Sequence, residues 1–173
     1  MIRLVLPNIK YKNSFLESLT EPDKDSAFFP IGHREYKGGD FSVFVKKIRD
    51  FAKGIGLKKG YVPETVFWLV DTTKNEYIGF VTVRHRLNNY LKREGGNIGY
   101  FIRPSKRGHG NGTLQLKMAL KKAKLLGIKE IILTCNKKNI PSQKVIEKNH
   151  GVFFSEIYIP EKKARKLRFK IEL

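Results

Sequence analysis

Between residues 97 and 136 the chain reads NIGYFIR, PSKRGHGNG, TLQLKMALKKAKLLG, then IKEIILTCN. The outer pieces hold short apolar runs bounded by turn residues, the pattern of strands. The stretch 112–127 places Leu116, Ala119, Leu120, Ala123 and Leu126 on one helix face and lysines on the other, with Gly127 as its stop. Two strands joined through a helix predict a parallel pair, because the crossover returns the chain to its starting end. EIILTCN at 130–136 is apolar without alternation, which predicts a strand covered on both faces.

The flanking sequence adds hairpins. IRLVL at 2–6 reads as a first strand and NSFLESL at 13–19 as a helix. A longer helix is expected over 40–56. There Phe41, Phe44, Val45, Ile48, Phe51 and Ile55 share a face, Asp40 caps the start, and Gly54 and Gly56 mark the end. TVFWLVD at 65–71 and YIGFVTVRH at 77–85 flank the turn TKNE and read as a hairpin. The polar segment 86–96 reads as a loop, and Pro141 opens a helix over 141–149. VFFSEIYI at 152–159 and KLRFKIEL at 166–173 are the last strands. In the latter, Leu167, Phe169, Ile171 and Leu173 alternate with charged residues, so one face is covered. A chain of 173 residues without repeats or Pro/Ser linkers predicts one domain over 1–173.

The charge is uneven. Residues 1–80 hold 13 Lys+Arg against 10 Asp+Glu, whereas residues 81–173 hold 22 against 6. Such a field attracts polyanions: nucleic acid, an anionic surface or a phosphorylated cofactor. The basic residues form no helix-turn-helix or RNP aromatic pair, so nucleic acid is not the expected partner. No apolar run is long enough to span a membrane. Cys135 is the single cysteine, which excludes an internal disulfide and a cysteine-rich metal site. These features predict a cytoplasmic protein that needs no metal.

The positive half also carries the glycine turn. A helix entrance presents amides without internal partners and the positive end of its dipole. Gly108, Gly110 and Gly112 would let a ligand approach that backbone, and Lys106, Arg107 and His109 add charge. A P-loop is excluded, because the turn ends Gly112-Thr113-Leu114 and lacks the lysine. The dinucleotide fingerprint is excluded too, because its last glycine position is Thr113.

Arg107-x-x-Gly110-x-Gly112 resembles the Arg/Gln-x-x-Gly-x-Gly/Ala turn of the GCN5-related N-acetyltransferases (GNAT). CNKKNIPSQKVIEKNHG at 135–151 is similar to the same family's Asn-x-x-Ala/Ser and Glu-Lys-x-Gly segment, through Asn139, Ser142, Glu147, Lys148 and Gly151. VPETVFWLVD, IGFVTVRHRLN, NIGYFIRPSKRGHG and NIPSQKVIEKN resemble a bacterial subgroup of predicted acetyltransferases.

The resemblance implies an α/β (α+β) fold. Its sheet is mixed but mostly antiparallel, has a parallel, splayed central pair, and is flanked by helices. It implies acetyl-CoA as cofactor, lying between the strands at 97–103 and 130–136. The pantetheine arm would meet the strand edge at Tyr100, Phe101 and Ile102. The pyrophosphate would meet Arg107, Gly108, His109, Gly110, Asn111 and Gly112. Asn139 and Ser142 would hold the arm, although Asn139 is also placed to cap a helix before Pro141. The implied reaction is direct acetyl transfer to a primary amine of a small molecule or peptide. A homodimer is common in the family. A catalytically degenerate CoA-binding module is the alternative reading, with nucleic-acid binding behind it.

Transfer to an amine needs a base, donors for the developing oxyanion and an acid for the leaving thiolate. Many family members place a tyrosine acid where this chain has Ile146, and the subgroup often has histidine where this chain has Asn97. The remaining candidates are His85, Glu94 and Tyr100. His85 stands between Arg84 and Arg86, whose charge favours a neutral imidazole. The acceptor would be selected by segments 20–40 and 86–96.

Overall fold

The computed structural model describes residues 1–23 and 36–173. Strands β1 (Ile2–Val5), β2 (Glu64–Asp71), β3 (Glu76–Arg84) and β4 (Ile98–Ile102) form one sheet in that order. Strands β5 (Glu130–Asn136), β6 (Val152–Ile159) and β7 (Ala164–Glu172) form a second, with β7 in the middle. Every ladder in both sheets is antiparallel. The helices are α1 (Lys12–Thr20), α2 (Phe41–Asp50), α3 (Asn111–Leu125) and α4 (Ile140–Glu147). The class, the hairpin and the flanking helices are those expected.

The central pair differs from the expectation. β4 and β5 are edge strands of separate sheets, and no ladder joins them among the described residues. Among the described residues their backbones are hydrogen-bonded at one place, just ahead of β4, where the Asn97 N–H donates to the Ile132 carbonyl at 2.7 Å and the Ile132 N–H donates to Asn97 Oδ1 at 2.8 Å. A crossover fixes which strands are neighbours, but it does not oblige their edges to pair. The expected mixed sheet is therefore two antiparallel sheets with facing edges.

Packing holds the sheets together. Leu116, Ala119 and Ala123 of α3 and Ile146 of α4 pack with Val81, Ile98, Ile131 and Leu133, so one core spans both sheets. A second core fills the opposite face of the first sheet, under α1 and α2. At its centre Phe15 stacks on Trp68 with ring centroids 5.1 Å apart and meets Tyr77 edge-on. Burying one such side chain contributes about 1.5–3 kcal/mol.

Four local expectations fail for identifiable reasons. α2 ends at Asp50, and Gly54 then takes a left-handed turn (φ 77°) that throws Ile55 into solvent. Leu126 likewise lies past the end of α3 and is exposed. β5 is fully covered on one face and partly on the other: Ile131, Leu133 and Cys135 are buried, while Ile132, Thr134 and Asn136 are half-buried. Over that second face lies segment 86–96, which is not a plain loop. Leu91–Gly95 form one wide helical turn closed by the Gly96 N–H on the Leu91 carbonyl at 2.6 Å. Thr134 Oγ1 anchors the turn by donating to the Glu94 carbonyl at 2.8 Å. Of the two segments expected to select the acceptor, residues 24–35 lie outside the described ones.

Candidate active site

The glycine turn and the head of α3 form a mouth of unpaired donors. The amides of Gly108 through Thr113 donate to no group among the described residues. Gly108 and Gly110 have φ of 80° and 77°, and a Cβ at either would meet nothing within 4 Å. Positive φ there favours glycine, and the open space lets an anion reach the backbone. Gly112 serves differently: a Cβ on it would lie 3.2 Å from Val145, so it allows α3 to pack against α4. Asn111 is buried and braces the turn by donating to the Lys106 carbonyl at 2.9 Å.

The basic side chains of the turn have carboxylate partners. Arg107 makes a two-pronged contact with Asp23 at 2.9 and 2.7 Å, donates through Nε to the Ile102 carbonyl, and lies over the Phe101 ring. Lys106 pairs with Glu76 at 2.6 Å. His109 is exposed. Attraction for an anion at this mouth therefore comes chiefly from amides and the helix dipole.

The gap between β4 and β5 begins at this mouth. Arg103 donates to the Ile78 carbonyl and Arg84 to the Asn97 carbonyl, which fixes the phase of the β3–β4 ladder. Alternation along an antiparallel ladder then turns the Phe101 backbone toward β3. Ile98, Tyr100 and Ile102 present their backbone to the gap, so only two of the three expected edge residues face it.

The structure brings Tyr100 and Ser142 together across the gap. The Tyr100 hydroxyl lies 2.8 Å from Ser142 Oγ at the head of α4. Burial pushes the Tyr100 phenol up, against the pull of the Ser142 hydrogen bond, so it holds its proton at neutral pH. Cys135 is buried beside Ser142, and burial raises its thiol to about 11, which leaves it an inert packing group. Asn139 caps α4, its side chain accepting from the Ser142 N–H at 3.0 Å. Ile146 is fully buried in the shared core and offers no proton.

The other two candidates lie at the closed end of the gap. His85 follows Arg84, whose amide donates to Asn97, and His85 Nε2 is 2.8 Å from Thr65 Oγ1. Burial lowers its pKa. Glu94 is buried and ion-paired with Lys162 at 2.8 Å and Arg93 at 2.9 Å. Its burial favours protonation. The hydrogen bond from Lys162 and the charges of Lys162, Arg93 and Lys166 outweigh this and hold its pKa below the usual value.

Two groups escaped sequence reasoning. Glu64 is buried opposite Arg84, 3.5 Å from its guanidinium, and burial raises its pKa against that charge. At the start of a strand it reads as an ordinary solvent-facing acid, and nothing in its sequence neighbours signals otherwise. Arg168 and Lys170 read as the wet face of the last strand, yet they wall a cavity with Asn97 and Ile132. Only tertiary structure brings residues so distant in sequence together.

Comparison with known proteins adds the following. The family model described as an acetyltransferase (GNAT) domain matches residues 15–152. None of the curated proteins matches the chain. Among solved structures, an acetyl transferase from Salmonella typhimurium that modifies the N-terminal serine of 50S ribosomal subunit protein L7/L12 is 14% identical. It has a TM-score of 0.66, with 99% of this chain and 95% of that one covered. An acetyltransferase (GNAT family) from Bacillus anthracis is 17% identical, with a TM-score of 0.63 and coverage of 99% and 94%. A further Salmonella typhimurium structure, solved with its cofactor acetyl-CoA, is 10% identical, with a TM-score of 0.62 and coverage of 100% and 93%. At such identities these likenesses concern the fold.

Proposed function

The chain belongs to the GNAT acetyltransferase family, and from the geometry of its gap we propose that it passes the acetyl group of acetyl-CoA directly to a primary amine. The observation that carries this reading is a mouth of unpaired donors at the head of α3 together with the ladder-free outer edge of β4. The amides of residues 108–113 would hold the diphosphate. The backbone of Tyr100 and Ile102 would pair with the amides of the pantetheine arm, as an added strand pairs with a sheet edge. The bound cofactor supplies an activated acyl group on a thiol of low basicity.

The chain's own groups divide the remaining work. The Tyr100 N–H faces the gap where the arm ends and is the donor placed for the developing oxyanion. The Tyr100 hydroxyl, protonated and oriented by Ser142, donates a proton to the departing sulfur. It thereby takes the part that a tyrosine at the Ile146 position has elsewhere in the family. His85, kept neutral by burial, is assigned as the base for the acceptor ammonium. Glu94 anchors segment 86–96 instead of acting on the substrate.

Thiol release from acetyl-CoA over a panel of amines, polyamines and peptide N-termini tests this reading. Turnover with at least one amine is expected. Micromolar-range acetyl-CoA binding without turnover on any of them would instead make the chain a CoA-binding module.

A further inference from the structure

On the open face of the second sheet, under segment 86–96, lies a cavity of about 390 Å³. Lys92, Arg168 and Lys170 supply its charge, Phe154 and Ile132 its apolar wall, and Asn97 its inner corner. Its size is that of a pocket for a metabolite. One acid, Glu130, borders it and pairs with Lys170 at 2.9 Å.

Arg168 is the informative residue. Of the described arginines, only Arg84, Arg103 and Arg168 are sheltered from solvent. Arg84 pairs with Glu64, and Arg103 with Glu17 and Glu21. Arg168 has no carboxylate partner among the described residues. Its Nη1 donates to Ser155 Oγ at 3.2 Å and its Nη2 to the Lys92 carbonyl at 2.7 Å. Its Nε is buried without any hydrogen bond, and the guanidinium lies 4.6 Å over the Phe154 ring. A sheltered, rigidly held cation without a counter-ion is costly unless a ligand provides one. Lys92, also without a carboxylate partner among the described residues, stands beside it.

The cavity adjoins the reaction path. Asn97 and Ile132 wall it and are also the residues that close the β4–β5 gap. β4 runs from that closed end to the diphosphate mouth, and its five residues span about 17 Å. An arm laid along β4 from the mouth therefore points its thioester toward the cavity.

We propose that this cavity binds the anionic group, carboxylate or phosphate, of a metabolite-sized amine acceptor. Arg168 and Lys92 receive the anion, and the amine is turned toward the gap. The inference rests on the acetyl-transfer reading above and names its substrate class.

Calorimetric titration of 4-aminobutyrate, 2-aminoethyl phosphate and neutral 4-aminobutanamide, with and without saturating CoA, tests it apart from catalysis. At least one anionic amine is expected to bind about tenfold or more tightly than the neutral amide. The difference should collapse in Arg168→Gln and in Lys92→Met. Lys92 is exposed, so its substitution tests the cavity even if loss of Arg168 impairs folding. The carboxylate-to-phosphate preference identifies the head group. Equal binding of all three, absence of binding, or a difference that survives both substitutions overturns the proposal. Selective anion binding without thiol release from acetyl-CoA would leave the cavity assigned and remove the transfer reading instead.

Discussion

Asn97 holds Ile132 twice, through its own N–H at 2.7 Å and through Oδ1 at 2.8 Å. The side chain thus extends strand pairing by one bond where backbone pairing stops. That double contact closes the base of the gap and leaves the rest open. Asn97→Ala deprives the Ile132 N–H of its partner, and an unpaired donor there costs about 1–3 kcal/mol. Urea denaturation should show a lowered midpoint with an unchanged slope.

Tyr100→Phe removes the proton donor and leaves the ring in place. Loss of general-acid help costs at least about a hundredfold in kcat. Acetyl-CoA affinity, measured by calorimetry, should hold. Turnover within a few-fold of wild type would show that the sulfur leaves unaided.

At Gly110 a pair of substitutions separates charge from strain. Both asparagine and aspartate tolerate the left-handed φ of 77°, and open space surrounds the position. Gly110→Asn is expected to weaken acetyl-CoA binding mildly. Gly110→Asp places a carboxylate against the diphosphate and should weaken it about tenfold further at low salt. Equal affinities for the two variants would mean that the anion binds elsewhere.

Glu94 sets a pH dependence. Its folded pKa is held below the ordinary 4.5 by Lys162 and its neighbouring cations, once the opposing effect of burial is overcome. A depressed carboxyl contributes stability that is complete above the unfolded value and fades as pH falls through the folded one. Wild-type melting temperature should therefore drop below pH 4.5 more steeply than that of Glu94→Gln, which starts lower at pH 7. Parallel profiles would contradict the assignment.

Periodicity made the fold legible where one face is apolar. The stripe from Phe41 to Ile48 and the alternation from Leu167 to Ile171 both point inward as expected. Periodicity failed at Ile55 and Leu126, because an apolar residue beyond a helix stop has no face to join. The mouth was legible because glycine spacing reports backbone conformation directly, at Gly108 and Gly110. Gly112 carries the same symbol for a packing reason, and only Val145 reveals it. The pairing of Arg107 with Asp23, the meeting of Tyr100 with Ser142 and the sheltered charge of Arg168 each join residues far apart in the chain. Single-sequence patterns hold no trace of such contacts.

A crystal structure with bound acetyl-CoA tests the central claim most directly. Diphosphate oxygens are expected within about 3.2 Å of the amides between Gly108 and Thr113. The pantetheine arm should lie along Tyr100 and Ile102, with the thioester sulfur near the Tyr100 hydroxyl. Cofactor bound away from the α3 mouth, or β4 and β5 drawn into one continuous ladder around it, would contradict the account.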